Sequence, residues 1–284
     1  MDVEPTANGK AVILLTATVD PKGTAWTRLQ DPGIRKAQYL YAIDFYLRET
    51  DCDIVFCENT GADIFDEIES AEKYKRLEYL TFDGNDYDKC RGKGYGEAII
   101  IRYAIENSLR IRNSDLVIKI TGRVIIRNLN ELLHVMSRNS ELKMPYAIFE
   151  FAGAGLTKTV CFCAPKEWLL YTVKKYQELI YDVGYSFEKV ICRSVTETSD
   201  MKVIPFFPHI DGICGGFNRP YVNLPMPDRK LDHFNGLYHL YELRGDMPKY
   251  IVAKICWLCY VAVRKICFFK SCLWGGTATL PEKF

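Results

Sequence analysis

Asp115-Leu-Val-Ile-Lys-Ile-Thr-Gly-Arg-Val-Ile-Ile-Arg-Asn128 has the apolar make-up of a buried β-strand, yet it carries Lys119 and Arg123 with Thr121 between them. Side chains alternate along a strand, so these three share one face while Ile118 and Ile120 take the other. A charge inside an apolar strand is costly unless an anion answers it. The apolar run holds no acid, so the partner comes from elsewhere in the fold or from a ligand, and a phosphorylated ligand is the leading reading. Gly122 lets backbone approach closely at that point.

Outward from this run, residues 11–18, 53–57 and 77–82 also have strand character. Helix-period segments separate them at 33–48, 62–76 and 96–112. Strand alternating with helix implies βαβ units and a mostly parallel α/β sheet covered on both faces. Ligands in such sheets sit at the carboxyl ends of the strands. That edge is expected to gather residues 16–20, 58–61, 83–86 and 121–123. Beyond Asn128 the pattern predicts a helix at 129–138, β-like runs at 146–151 and 159–163, a helix from 166 to about 183, and a strand at 201–205. No repeat or linker interrupts this, so one domain over 1–245 and a tail over 246–284 are expected.

The composition is that of an ordinary globular protein, with 48% hydrophobic and 26% charged residues in 284. A net charge of +1 gives no global argument for nucleic-acid binding. The first residues lack a basic-then-apolar leader pattern, so the eleven cysteines are expected to be reduced and the protein cytoplasmic. Cys256-Trp-Leu-Cys259 has metal or redox spacing, but no second pair or histidine completes it.

Between Pro248 and Trp274, lysines and arginines punctuate a run of aliphatic and aromatic residues, and no acid occurs between Asp246 and Glu282. The uninterrupted apolar part, 255–263, is too short for a span of about 20 residues. Cations and apolar residues are expected to be spread around the helical wheel. Residues 248–274 therefore read as a basic, aromatic segment for a membrane surface. The plain alternative is a helix docked on the core with snorkelling lysines.

Four constellations carry potential chemistry. Thr16 and Thr18 end the first strand, followed by Arg28, Asp31-Pro32 and Arg35 at a helix mouth, where α/β sheets hold a nucleotide. Asp31 before Pro32 is also a good helix start whatever the function. Glu58 and Asn59 close the second strand toward the same cleft. Gly94 and Gly96, in Arg91-Gly-Lys-Gly-Tyr-Gly-Glu97, free backbone N–H groups at a helix start for an anion. Asp211, in His209-Ile-Asp-Gly-Ile-Cys-Gly-Gly216, is a candidate general base, with Glu150 the second candidate. A turn residue before glycine is the plainer role for Asp211.

Asp31-Pro32 with Arg35, residues 56–61, Gly92 to Glu97, Lys119-Ile-Thr-Gly-Arg123 and Asp211-Gly212 together resemble a bacterial group of glycosyltransferases of capsule and O-antigen biosynthesis. The resemblance spans about residues 10–225 and implies a GT-A-like fold, Rossmann-like in its nucleotide-binding half. It implies sugar transfer from a nucleotide diphosphate donor to a lipid-linked oligosaccharide, by a peripheral protein on the inner face of the cell membrane. Many such enzymes hold a divalent metal with Asp-x-Asp after a central strand, and none follows it here. Asp86-Tyr-Asp88 has the spacing on a loop, but no metal is the expectation. Lys119, Thr121, Gly122 and Arg123, with Gly94 and Gly96, would then bind the diphosphate. A nucleotidyltransferase and a non-catalytic subunit of a polysaccharide assembly complex are the alternatives.

Overall fold

The structure is a computed structural model that describes residues 11–273, with side chains described through residue 265. In chain order the first elements are β1 (Ala11–Ala17), α1 (Pro32–Glu49), β2 (Asp53–Glu58), α2 (Lys73–Arg76), β3 (Leu77–Thr81), α3 (Lys93–Asn107), α4 (Leu109–Arg112), β4 (Leu116–Thr121) and β5 (Ile125–Ile126). They are followed by α5 (Leu129–Asn139), β6 (Tyr146–Ile148), β7 (Cys161–Pro165), α6 (Lys166–Tyr176), α7 (Phe187–Glu197) and β8 (Lys202–Ile204). The short strands β9 (Ile210–Asp211), β10 (Ile213–Cys214) and β11 (Arg219–Pro220) precede the long helices α8 (Met226–Arg244) and α9 (Met247–Leu273).

Seven strands form one mixed, mostly parallel sheet in the order β3-β2-β1-β4-β7-β6-β8. Strands β3, β2, β1 and β4 are mutually parallel, β7 is antiparallel to β4 and β6, and β8 is parallel to β6. The central strands are apolar on both faces because helices cover both, as a parallel sheet requires. Helix α1 starts where Asp31 accepts from the Ile34 N–H at 2.9 Å and Pro32 takes the first turn. Tyr39, Ala42, Ile43, Tyr46 and Leu47 recur at helical spacing and are all buried. The carboxyl ends of β1 to β4 meet along one edge, as the alternation of strand and helix predicts.

Four expected boundaries move. The run 116–126 is two strands, because the chain turns at Gly122, whose N–H donates to Thr16 O at 2.9 Å. A Cβ at residue 122 would lie 2.8 Å from that carbonyl, so the close approach is to β1 itself. Tyr46 fixes the turn from below, accepting from the Ile126 N–H and donating to Val124 O. The expected helix at 62–76 is helical only in α2, where Lys73 Nζ donates to the carbonyls of Phe65, Asp66 and Ile68. The helix expected from Gly96 begins at Lys93 and breaks at Ser108, whose side chain caps α4 by accepting from Ile111 N. The helix begun at Lys166 stops at Tyr176.

The chain forms two compact units, Met1–Glu150 with Lys158–Asn223, and Phe151–Thr157 with Leu224–Phe284. The expected division at 245 would separate α8 from α9, which the structure packs together in the second unit. Gly245, left-handed with φ 69°, makes the turn between them. Among the described residues no helix is long and apolar enough to cross a membrane, and the described cysteines are free thiols.

Candidate active site

A cleft open to solvent lies at the carboxyl edge of the first unit's sheet. Thr16 and Thr18 at the end of β1 and Thr121 at the end of β4 line its floor, with Lys93, Gly94 and Glu97 from the start of α3 beside them. Arg35, Arg123, Asp182 and Glu188 complete its charged lining, and Gly215 and Gly216 border it.

Lys119 does not reach this space. It is fully buried, and its ammonium ion-pairs with the Glu97 carboxylate and donates to Thr159 O at 2.6 Å and Thr121 Oγ1 at 3.3 Å. The anion that answers the strand's lysine is thus a side chain of α3, and the reading of Lys119 as a direct diphosphate ligand is revised. Glu97 also accepts from Thr16 Oγ1 at 3.1 Å, so Thr16 is engaged in the same network.

Arg123 is different. It follows the Gly122 turn, is 8% exposed, and donates through Nη1 to Gln38 Oε1 at 3.0 Å and Ile213 O at 3.3 Å. Among the described residues it pairs with no carboxylate. A Cβ on residue 215 would lie 2.4 Å from its Nη2, so the glycine makes room for the guanidinium. Arg35 sits near enough for the two cations to repel. Burial pulls the Arg35 pKa below its ordinary value; Tyr39 offsets this and Arg123 adds to it. Arg35 spends its donors on Thr18 O, Leu29 O and the Tyr39 hydroxyl, and so shapes the loop after β1. Thr18 also donates through its N–H to that hydroxyl at 2.9 Å. Lys93, exposed at the first turn of α3, makes no ion pair among the described residues.

The glycine segment holds an internal anion. Gly94 N donates to both oxygens of Asp182, at 3.2 and 3.3 Å, and Gly92, at φ 87°, also packs against that carboxylate. A Cβ at Gly96 would meet the Tyr87 hydroxyl at 2.3 Å. The helix start that was expected to bind diphosphate at Gly94 and Gly96 is therefore capped by Asp182 and covered by Tyr87. Burial raises the Asp182 pKa, against the Gly94 hydrogen bond and the nearby Lys93, which lower it.

The remaining expected residues are spread through the fold. Glu58 is fully buried and accepts from the N–H groups of Val19, Thr60 and Ala62 and the hydroxyls of Thr60 and Thr81. Five donors exhaust a carboxylate, so it ties loops together and is not left for a nucleotide. Asn59, behind Thr18, accepts from its hydroxyl at 2.8 Å, while its buried Nδ2 has no partner among the described residues. Arg28 is exposed outside the cleft lining, and its backbone N–H donates to Gly215 O. Asp211 ion-pairs with exposed Arg127 away from the cleft lining. Glu150 is buried against Lys158 at 2.7 Å. Neither acid expected to act as base borders the cleft.

Asp182, Glu188 and Lys93 were not singled out from the sequence. Lys93 stands inside the quoted glycine segment, where the glycines drew the reading. Asp182 meets Gly94 across 88 residues, and no local pattern carries that contact. Trp26 is another such residue: its φ of 61° is strained for a bulky side chain, and it is 57% exposed next to cleft-lining Thr27. Asp88, of the Asp86-Tyr-Asp88 spacing, caps the turn at Cys90 N, and among the described residues no three metal-ligating side chains converge.

No protein-family model matches the chain, and no curated protein matches it in sequence. Among solved structures it is similar to a cytidylyltransferase from Leptospira borgpetersenii, at 15% identity and a TM-score of 0.42 over 86% of this chain and 97% of that one. A Desulfovibrio desulfuricans protein assigned as a nucleotide-diphospho-sugar transferase is similar at 13% identity and a TM-score of 0.39, over 69% of this chain and 80% of that one. The 4-diphosphocytidyl-2C-methyl-D-erythritol synthase from Anaerococcus prevotii is similar at 12% identity and a TM-score of 0.35, over 80% of this chain and 98% of that one. Likenesses this distant say nothing of the activity.

Proposed function

We propose that the chain is a transferase acting on a nucleotide diphosphate sugar, and that it moves the sugar to a lipid-linked oligosaccharide in surface polysaccharide synthesis. The observation that carries this reading is Arg123: a nearly buried guanidinium with no carboxylate partner among the described residues, beside a second cation, Arg35, at the carboxyl edge of a parallel sheet. Two neighbouring cations repel, and a pyrophosphate relieves that repulsion. Arg123 presents a fork that matches phosphate oxygens, and Lys93 adds a mobile point charge across the cleft. These groups offset the charge that develops on the departing nucleoside diphosphate. Lys119 acts one step back, holding Glu97 and Thr121 in place. Trp26 offers a ring on which a base can stack.

Asp182 is the cleft acid best suited to take the proton of an attacking hydroxyl, because burial lifts it toward the pH range where a carboxylate is an effective base. A protein of this kind would work on the inner face of the cell membrane, a reading supported by the basic, aromatic composition of residues 248–274.

One observation favours a second reading. Asp182 and Glu188 both border the cleft, and carboxylates near phosphates suit a nucleotidyltransferase that uses magnesium. A thermal-shift panel of UDP, GDP, CDP and their sugars tests the shared part, since a ligand that binds only the folded chain raises its melting temperature. Product analysis separates the two: nucleoside diphosphate release marks sugar transfer, and pyrophosphate release or consumption marks nucleotidyl transfer. No shift with any nucleotide would favour a non-catalytic subunit and overturn both.

A further inference from the structure

Helix α9 carries a continuous apolar face that no described residue of its own unit covers. Met247, Ile251, Val252, Ile255, Leu258 and Val263 are each between 42% and 63% exposed. At about 100° per residue they fall within one arc of roughly 160°. The opposite side packs on α8: Tyr238 meets Tyr250 and Trp257, and Phe234 stacks on Tyr260. Through residue 265 the exposed apolar residues therefore gather on one side of the wheel. Lys254 and Lys265 lie along one rim of the arc and Lys249 along the other; Lys249 pairs with Asp246 at 2.6 Å, Lys254 donates to the Tyr250 hydroxyl, and Arg264 turns away to Asp228 at 3.1 Å. No acid occurs anywhere in α9.

We propose that this face of α9 lies in the plane of an anionic lipid surface, with Ile251, Ile255 and Leu258 among the acyl chains and the rim lysines at the headgroups. A helix with a wide apolar face and a cationic border is the form such insertion takes. Charge decides between lipid and protein as the occupant. Lys254 and Lys265 make no ion pair among the described residues, so a second copy would set like charges against one another, whereas phospholipid headgroups supply their countercharge. The inference deepens the membrane location proposed above and rests on that reading; the nucleotide panel tests the reaction separately.

Flotation of the full chain with phosphatidylcholine vesicles, with and without phosphatidylglycerol, tests it. The wild-type chain is expected to float with the anionic vesicles and to be released from them partly by salt. Ile251→Glu/Ile255→Glu/Leu258→Glu is expected to lower partitioning at least about a hundredfold. Lys254→Glu/Lys265→Glu is expected to lower it about tenfold or more on anionic vesicles alone. Circular dichroism melting of each variant reports on the fold, and the charge-reversal variant keeps the test open should the triple variant not fold. Wild-type protein that stays at the bottom of the gradient with anionic vesicles would overturn the proposal. Equal flotation of the folded triple variant would do the same, as would a wild-type dimer that the triple variant dissolves.

Discussion

Lys119 of β4 and Glu97 of α3 form an ion pair across the sheet-to-helix interface, with the lysine fully buried and the carboxylate at the cleft wall. The pair stands at the point where strand, helix and cleft meet. Removing one member of a buried pair leaves a charge uncompensated, which costs about 3–5 kcal/mol. Glu97 is one-fifth exposed, so its isolated charge costs less than that of Lys119. Glu97→Gln is thus expected to destabilise by about 3 kcal/mol or more, and Lys119→Met by less. The double variant should recover much of the loss. Urea unfolding of the four proteins measures this; additive single effects would mean that the pair is not coupled.

Gly122 is expected to tolerate no side chain. A Cβ there would press on Thr16 O, a backbone atom that the β1–β4 pairing holds in place. Gly122→Ala should cost about 1–3 kcal/mol by overpacking, visible as a lowered midpoint with an unchanged urea slope. An unchanged midpoint would show that the turn can shift.

The fold was legible where one periodicity ran without interruption. The apolar runs at β1, β2 and β4 and the helical spacing of Tyr39, Ala42, Ile43 and Tyr46 place the central sheet and α1. The site was legible only in outline. Arg123 stood out as a cation in an apolar run, but whether its neighbour Lys119 faced a ligand or Glu97 depended on how α3 crosses the sheet. The glycines of 92–96 read as an anion site and do meet an anion, Asp182, which comes from a turn distant in sequence. Glu58 read as a cleft acid because it ends a strand; the loops that supply its five donors carry no pattern that announces them.

Asp182 gives a pH prediction. Its pKa is raised above 3.8 in the folded chain, chiefly by burial, so the folded state holds the proton more tightly than the unfolded one. Stability therefore falls as pH rises from about the unfolded value through the folded one, because the native state binds more protons in that window. Asp182→Asn keeps an oxygen for the Gly94 N–H and removes the ionisation. The variant should gain stability relative to wild type as pH rises through this window, and the two should converge below it. If Asp182 is also the base, the variant loses turnover at least about a hundredfold without losing its fold. Parallel melting and activity profiles against pH check both, and a wild-type-to-variant difference flat across pH would refute the titration.

Gly215 and Arg123 test the diphosphate site from two directions. Arg123→Ala removes the fork, and a charge-assisted phosphate contact is worth about 1.5–3 kcal/mol, so nucleoside diphosphate affinity should fall by roughly ten- to a hundredfold. Arg123→Lys should recover only part, since a point charge cannot bond two oxygens in one plane. Gly215→Ala leaves the arginine in the sequence but puts a methyl group 2.4 Å from its Nη2, so the flexible guanidinium must swing aside. It is expected to weaken diphosphate binding with little change in melting temperature. Nucleoside monophosphates, which lack the second phosphate, should lose less in every variant. Titration calorimetry with UDP, GDP or CDP against the matching monophosphate checks the set. Equal losses for mono- and diphosphate would move the arginine from the diphosphate to some other part of the nucleotide.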